Sequence, residues 1–535
     1  MLVAAIFVSM SNFRIPVFVA CAAISLSFVL FQNTTPSATE YAGTITAADL
    51  KTHLEIIASD AYEGRETGEK GQKMAAEYIA KQFKSCGIPE LPGGGYYQNV
   101  PLIKFLPGQG EVVSGGTKYA VGKSFYFLSG VENMNTSTSK IVVAGYGIEE
   151  KGFSNYGATN INGATVMIIA GEPINGKGVS LISGKKEPSP WSTQRRKKIM
   201  EASKRGAAML LVVQPEFEKA LKDYEHSINT PSYKLDDDSK EEATDYRAPV
   251  LYISPKMADE ILKAAGAKTT VSGIQKANKK KASSAKTLNY TLGYNISRPT
   301  QKVNTENVLG YIEGTDLKEE LIVITAHYDH IGKEGDKVYN GADDDGSGTV
   351  GIMEIAEAFA KAKREGKGPR RSILCMAVSG EERGLLGSKW YSEHPLFPLA
   401  QTVCNLNIDM IGRIDADHKK DSNYVYVIGA DRISADLKTI VNQQNELHTK
   451  LTLDYKYDVE NEPNMYYYRS DHYNFARKGV PVAFFFNGTH EDYHKETDET
   501  SKITYPMMEV RTRLVFFTAW EIAHRTDRLR ITNKK

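Results

Sequence analysis

Apolar positions recur along this chain with two different periods. Over residues 69–86 they fall at Met74, Ala75, Tyr78, Ile79 and Phe83. That is one face of a 3.6-residue repeat, which predicts an amphipathic helix. The helix follows Glu63-Gly-Arg-Glu-Thr-Gly68, a glycine-punctuated turn region suited to close backbone packing. From about residue 105 to 280 the texture changes. Short apolar runs at Ile141–Gly145, Ala164–Ala170, Ala207–Val213 and Val250–Ile253 predict strands, alternating with helical patterns at Thr193–Lys204 and Pro255–Ala265. The loops between them are glycine-rich or acidic, as at Asp236-Asp237-Asp238, and the stretch ends in the basic run Lys276–Lys286. That run reads as a solvated linker or exposed loop, not as a nucleic-acid patch.

Beyond residue 300 the pattern becomes strongly α/β. Strands are predicted at Leu321–Ala326, Ser372–Val378, Val403–Met410, Tyr424–Ile428 and Val480–Phe486. Helices are predicted at Gly348–Lys363, Ile433–Leu447, Asp471–Lys478 and Met507–His524. Apolar strands separated by amphipathic helices imply a mixed, largely parallel sheet sandwiched by helices. Such sheets bind ligands at the carboxyl ends of their strands. No internal repeat is visible.

Length and charge narrow the picture. A chain of 535 residues exceeds one compact domain and suggests two. Lys plus Arg number 66 against 65 Asp plus Glu, a net charge of +1, so nothing global favours nucleic acid or an anionic membrane. Four cysteines are too few for a disulfide-stapled scaffold or a thiolate zinc framework. Residues Ile15–Phe31 form a 17-residue apolar run after Arg14 and before the polar, small-residue stretch Asn33–Ala38. This is the pattern of a secretory signal over residues 1–38, with Met10 an alternative start. Retained, the same run would be an anchor helix near the lower limit for a bilayer span. The expectation is export to the periplasm or the extracellular space, with no stable membrane partner unless the segment stays uncleaved. After cleavage Cys86, Cys375 and Cys404 remain. An odd count rules out a complete disulfide framework, and Cys375 and Cys404 lie in apolar runs where a small buried hydrophobe is expected.

Candidate chemistry collects at the strand ends. The first strand of the C-terminal half runs into Ala326-His327-Tyr328-Asp329-His330, and a glycine-rich loop follows with Asn340-Gly-Ala-Asp-Asp-Asp-Gly-Ser-Gly348. The next strand leads to Ser379-Gly-Glu381-Glu382, another to Asn407-Ile-Asp409, and the last to Thr489-His490-Glu-Asp-Tyr-His494. Each piece alone is commonplace. Together, histidines and carboxylates at the ends of successive strands form a mixed N/O donor set that suits zinc or cobalt better than calcium or magnesium.

These motifs resemble those of the secreted co-catalytic zinc aminopeptidases, the family of bacterial leucyl aminopeptidase and yeast vacuolar aminopeptidase Y. The resemblance covers about residues 45–100 and 300–525 and rests on AHYDHIG, NGADDDGSG, SGEERGLLGS, NIDMIGR and DYHKETDETSKI. The intervening region, with GYGI, NINGATVMIIAGE, ASKRGAAMLLVV and APVLYIS, resembles a protease-associated domain. The implied organisation is a catalytic domain over 41–115 and 288–535, interrupted by an insert with a C-terminal linker over 116–287. The resemblance implies two zinc ions per chain, with cobalt a possible substitute. His327 and Asp409 match ligands of one metal, Glu382 and His494 those of the other, and Asp344 the bridging carboxylate. Asp343 and Asp345 compete with Asp344 should the register shift, while His330 and His490 fit the pattern less well. Glu381 matches the general base and Asp329 the carboxylate that orients His327.

The implied activity is hydrolysis of the first peptide bond of peptides with a free amino terminus. A metal-bridged water would attack the carbonyl, and Glu381 would carry the proton. Met465-Tyr-Tyr-Tyr468 and Arg469-Ser-Asp-His472 are candidates for a side-chain pocket that takes a bulky apolar first residue. An alternative on the same fold is a carboxypeptidase or dipeptidase resembling glutamate carboxypeptidase, with Arg469 or Arg477 as the cation for a substrate carboxylate. A single-zinc glutaminyl cyclase-like enzyme and a non-catalytic receptor-like binding protein are the remoter alternatives.

Overall fold

The computed structural model describes residues 38–128, 131, 133–237, 247–279 and 281–533. The N-terminal apolar run lies outside these residues. Among those described, no helix is long and apolar enough to cross a membrane.

One layer is a nine-stranded sheet built from β1 (Tyr97–Phe105), β2 (Ser232–Leu235), β3 (Thr300–Ile312), β4 (Leu317–His327), β5 (Arg371–Val378), β6 (Thr402–Ile408), β7 (Tyr424–Ile428), β8 (Thr452–Asp454) and β9 (Val482–Phe486). Its order is β2-β1-β3-β5-β4-β6-β9-β7-β8. The central strands β5, β4, β6 and β9 are mutually parallel. Antiparallel pairs flank them: β1 with β2 and β3, β3 with β5, and β7 with β9. The sheet is therefore mixed, with its parallel pairing concentrated at the centre.

The apolar runs of the C-terminal half are unbroken because both faces of the central strands are covered. Ile322, Ile324, Ile373, Cys375 and Ala377 point into one core, whereas Leu321, Val323, Leu374, Met376 and Val378 point into the other. The first core is closed by the helices α1 (Ala47–Ile57), α2 (Lys70–Ser85), α3 (Gly348–Arg364) and α7 (Tyr505–His524). Phe359 of α3 meets Phe516 and Trp520 of α7 at ring separations of 5.0 and 5.6 Å. The second face carries α4 (Leu386–Glu393) and α6 (His472–Ala476), while α5 (Ala435–Gln444) packs on the α7 side. Cys86, Cys375 and Cys404 are all free thiols.

A second, eight-stranded sheet forms its own layer. Its order is Thr117–Ala120, Gln109–Ser114, Lys286–Ser297, Met134–Val143, Thr165–Ile169, Met209–Val213, Val250–Ile253 and Phe125–Tyr126. It has separate apolar clusters on its two faces. The strands Gln109–Ser114 and Lys286–Ser297 extend this unit beyond residues 116–287. The chain first enters the second sheet at Phe105–Gln109 and finally leaves it at Ser297–Thr300, where the Leu106 amide donates to the Pro299 carbonyl at 2.9 Å, and β2 returns to the first sheet in between. Pro107-Gly108 lies in the first crossing and Pro299 in the second. The basic run at 276–286 is not wholly a solvated linker: Val271–Asn278 is helical, and buried Asn278 exchanges hydrogen bonds with Asn155 and Ser283.

Candidate metal centre

The loops at the carboxyl ends of β4, β5, β6 and β9 converge, and the positions of their side chains follow from local backbone bonding. In the Asp343–Asp345 loop two of the three carboxylates are occupied by main-chain donors. Asp345 Oδ1 accepts from the Gly348 and Met410 amides, both at 2.9 Å, and its Oδ2 from the His327 amide at 3.2 Å. Asp343 Oδ1 accepts from the Gly412 amide at 2.6 Å and the Ser347 hydroxyl at 3.0 Å. Asp344 alone faces both histidine groups. Its Oδ1 lies 3.3 Å from His327 Nε2 and its Oδ2 lies 3.1 Å from His494 Nε2. The loop turns at Gly341, whose φ is +52° and where a Cβ would stand 2.2 Å from the Asp344 carbonyl oxygen.

Two donor groups result. His327, Glu381 and Asp409 form one, with His327 Nε2 at 3.7 Å from Asp409 Oδ1 and 4.0 Å from Glu381 Oε2. His330, Asp344 and Glu382 form the other, with His330 Nδ1 at 3.0 Å from Glu382 Oε1. His494 Nε2 closes on this second group at 3.5 Å from Glu382 Oε2. All seven residues singled out in the sequence, His327, Asp329, Asp344, Glu381, Glu382, Asp409 and His494, thus meet in one place. The fully buried His330 joins them, although the motif favoured His494. His490 instead stands 3.2 Å from Asp343 Oδ2. Asp329 supports the site through both its main chain and its side chain. Its carbonyl lies 3.0 Å from His327 Nδ1, while its carboxylate accepts from the Glu381 amide at 3.2 Å and from the Thr67 hydroxyl at 2.6 Å. The His327 ring is 3.9 Å from that carboxylate.

The donor set fits divalent cations. Both His330 ring nitrogens, Asp344 Oδ2 and Glu382 Oε1 are buried and lack a properly oriented hydrogen bond. Their close approach without hydrogen-bond geometry is what ligand atoms aimed at a common centre produce, and mixed imidazole and carboxylate donors match zinc. Electrostatics agree. Burial pushes the Glu381 carboxyl well above its usual range, and the neighbouring Glu382 and Asp409 push it further. Burial also raises Asp471 to about 7. Burial opposes ionisation of Asp344 too, but His327 and His494 hold it well below the ordinary carboxylate value.

Several supporting residues lie in segments noted in the sequence, where their own roles were not legible. Arg65, fully buried, donates to the carbonyls of Tyr328 at 2.8 Å, Ile57 at 2.9 Å, Asn340 at 2.7 Å and Gly341 at 2.9 Å, so it ties the two metal-facing loops to α1. Asp498 receives the amides of Asp343 and Asp344 at 3.0 and 3.1 Å. Ser470 donates to Asp409 Oδ2 at 2.7 Å. Of the two arginines considered for a substrate carboxylate, Arg477 is paired with Glu393 at 2.7 Å. Arg469 lines the cleft beside the metal-facing groups, together with Met410, Tyr466, Phe484, Phe486 and Tyr493.

Residues 307–519 match the sequence model of peptidase family M28. Over this segment the chain is similar to that family. The relatives it resembles include a protein named a probable zinc metalloprotease from Pyrenophora tritici-repentis, 36% identical over 23% of this chain and 23% of the relative. Another is named a probable glutamate carboxypeptidase, from Arabidopsis thaliana, 35% identical over 19% of this chain and 14% of the relative. The chain therefore matches a quarter or less of the length of these curated relatives. In three dimensions it resembles an aminopeptidase from Aneurinibacillus sp. strain AM-1, with a TM-score of 0.54 and 17% identity over 93% of this chain and 99% of that one. That likeness establishes the fold, in which the segment similar to family M28 carries both donor groups at the carboxyl ends of its central strands.

Proposed function

We propose that the chain is a zinc metallopeptidase that removes the first residue from peptides with a free amino terminus. The observation that carries this reading is Asp344, whose two oxygens face two separate histidine–carboxylate groups. Two zinc ions, replaceable by cobalt, would be held by His327 and Asp409 on one side, by Glu382 with His494 or His330 on the other, and by Asp344 between. When bound they supply an acidified water and polarise the scissile carbonyl. Glu381 then serves as the proton carrier. Its carboxylate faces the cleft while its amide is pinned by Asp329, so it can take a proton at an oxygen and return it to the departing amine. Met410, Phe484 and Phe486 offer an apolar wall for a bulky first side chain.

The second sheet supports the reading of a protease-associated insert, and the N-terminal apolar run supports an exported enzyme. Among the described residues lining the cleft Arg469 is the one arginine or lysine, and it favours the carboxypeptidase alternative enough to require a direct test. Zinc-loaded protein should hydrolyse aminoacyl chromogenic amides and leave dipeptides with blocked amino termini intact. The reverse preference would make it a carboxypeptidase, and no turnover with either zinc or cobalt would end the enzyme reading. Glu381→Gln should bind zinc nearly as well as the unaltered protein but lose about 10²–10⁴-fold in kcat, the range of a general acid–base group. Unchanged kcat would remove Glu381 from that role.

A further inference from the structure

β2 is the only strand that leaves the second unit to join the catalytic sheet, among the described residues. It pairs antiparallel with the outer half of β1, Leu235 opposite Leu102 and Ser232 opposite Phe105. The Asp236 amide continues the ladder to the Pro101 carbonyl at 2.9 Å, and Lys302 pairs with Asp236 at 2.8 Å. On the inner side, Tyr233 and Leu235 pack in an apolar cluster with Val100, Leu102, Leu386 and Trp390. Leu386 begins α4, immediately after the loop that carries Glu381 and Glu382.

Tyr233 also reaches the loop by polar contacts. Its hydroxyl donates to Glu66 Oε1 at 3.5 Å, and its ring lies 5.4 Å from the Arg383 guanidinium. Arg383, the residue after Glu382, donates to the same Glu66 oxygen at 3.0 Å and to the Ile331 carbonyl at 3.4 Å. Glu66 in turn sits between two residues that hold the metal-facing loops. Arg65 clamps the Tyr328, Asn340 and Gly341 carbonyls, and Thr67 bonds the Asp329 carboxylate that fixes the Glu381 amide. Glu66 also forms a backbone bridge with His330. An element of the inserted unit therefore closes on a three-residue bracket around the donor groups.

We propose that Tyr233 is a positioning residue through which the inserted unit sets the Glu381–Glu382 loop, acting by way of Glu66 and Arg383. This rests on the reading of Glu382 as a metal ligand and Glu381 as the base. Groups that orient ligands from outside typically change metal affinity by about 10–100-fold when removed. The test uses the full chain and compares Tyr233→Ala, Tyr233→Phe, Arg383→Gln and the Ala/Gln double variant. Zinc affinity is read by competition with a chromogenic chelator, and kcat and KM on an aminoacyl amide. Tyr233→Ala should weaken zinc binding about 10-fold and lower kcat with little change in KM. Tyr233→Phe, which keeps the ring over Arg383, should recover most of both. The double variant should be no worse than the poorer single one, because both break one link. Additive losses, or a folded Tyr233→Ala protein with unchanged zinc affinity, would overturn the proposal. If Tyr233→Ala fails to fold, Arg383→Gln against Arg383→Lys reads the same link from the catalytic side, and an unchanged zinc affinity in folded Arg383→Gln overturns it. Because zinc affinity needs no substrate, absence of peptidase activity would discredit the proposed function while leaving this link to stand or fall on the affinity data.

Discussion

Ser470 shows how a single uncharged side chain can govern a charged site. Its hydroxyl donates to Asp409 Oδ2 at 2.7 Å and accepts from Asn407 Nδ2 at 2.8 Å. Asn407 Oδ1 accepts from Thr325 at 2.6 Å, and Thr325 from Asn405 at 2.9 Å, so a buried polar chain runs between β4 and β6 and ends on Asp409. Ser470→Ala leaves Asp409 free to swing and strands the Asn407 amide without an acceptor. Zinc affinity should fall about 10–100-fold, and stability by about 1–3 kcal/mol, the usual cost of an unsatisfied buried polar group. Chelator competition and denaturant melts measure the two effects separately. Wild-type zinc affinity in this variant would mean that Asp409 is held by other means.

At the scale of elements, the loop between β5 and α4 is fixed by close backbone packing. A Cβ on Gly387 would stand 2.3 Å from the Ser379 carbonyl oxygen and 2.3 Å from Asn307 Oδ1. Gly387→Ala must therefore push α4 away from the end of β5, at a cost of about 1–3 kcal/mol for overpacking. Because that loop carries Glu381 and Glu382, kcat should fall together with thermal stability; a variant that melts lower at full kcat would uncouple the two. The central strands were legible because burial on both faces leaves an unbroken apolar record, and β7 falls at Tyr424–Ile428 as the pattern predicts. β1 and β3 were not. They run from the core to the sheet junction, so the early residues of β3, such as Thr300, Gln301 and Lys302, are exposed and polar. β2, four residues of Ser-Tyr-Lys-Leu, is defined only by its partner strand. The helix expected at Thr193–Lys204 is interrupted at Gln194, whose ψ of 88° is not helical. Likewise the histidines and carboxylates at strand ends were visible in sequence as candidates, whereas Arg65 and Ser470 acquire meaning only from what they touch.

The whole molecule is nearly neutral, yet Asp329, Asp343, Asp344, Asp345, Glu381, Glu382, Asp409 and Asp471 are gathered in and around one cleft, with Arg65 and Arg511 among the buried cations beside them. Carboxylates this close cannot all ionise without compensation. Two divalent cations would supply four positive charges at that point, so metal binding and folding of the unit that carries the donor groups should be strongly linked. Zinc at about 100 times its dissociation constant should add roughly 2.7 kcal/mol per site, which for a domain of this size corresponds to a rise in melting temperature of about 5 °C. The second sheet has apolar clusters of its own and none of these donor residues, so its melting should respond less. Calorimetry of the full chain, first with chelator and then after zinc is restored, should show an early transition that moves and a second that moves little. If Tyr233 transmits between the layers as argued, Tyr233→Ala should bring the two transitions further apart. A melting profile indifferent to both chelator and zinc would mean that the clustered carboxylates are held neutral by protons, and the metal-centre reading would fall with it.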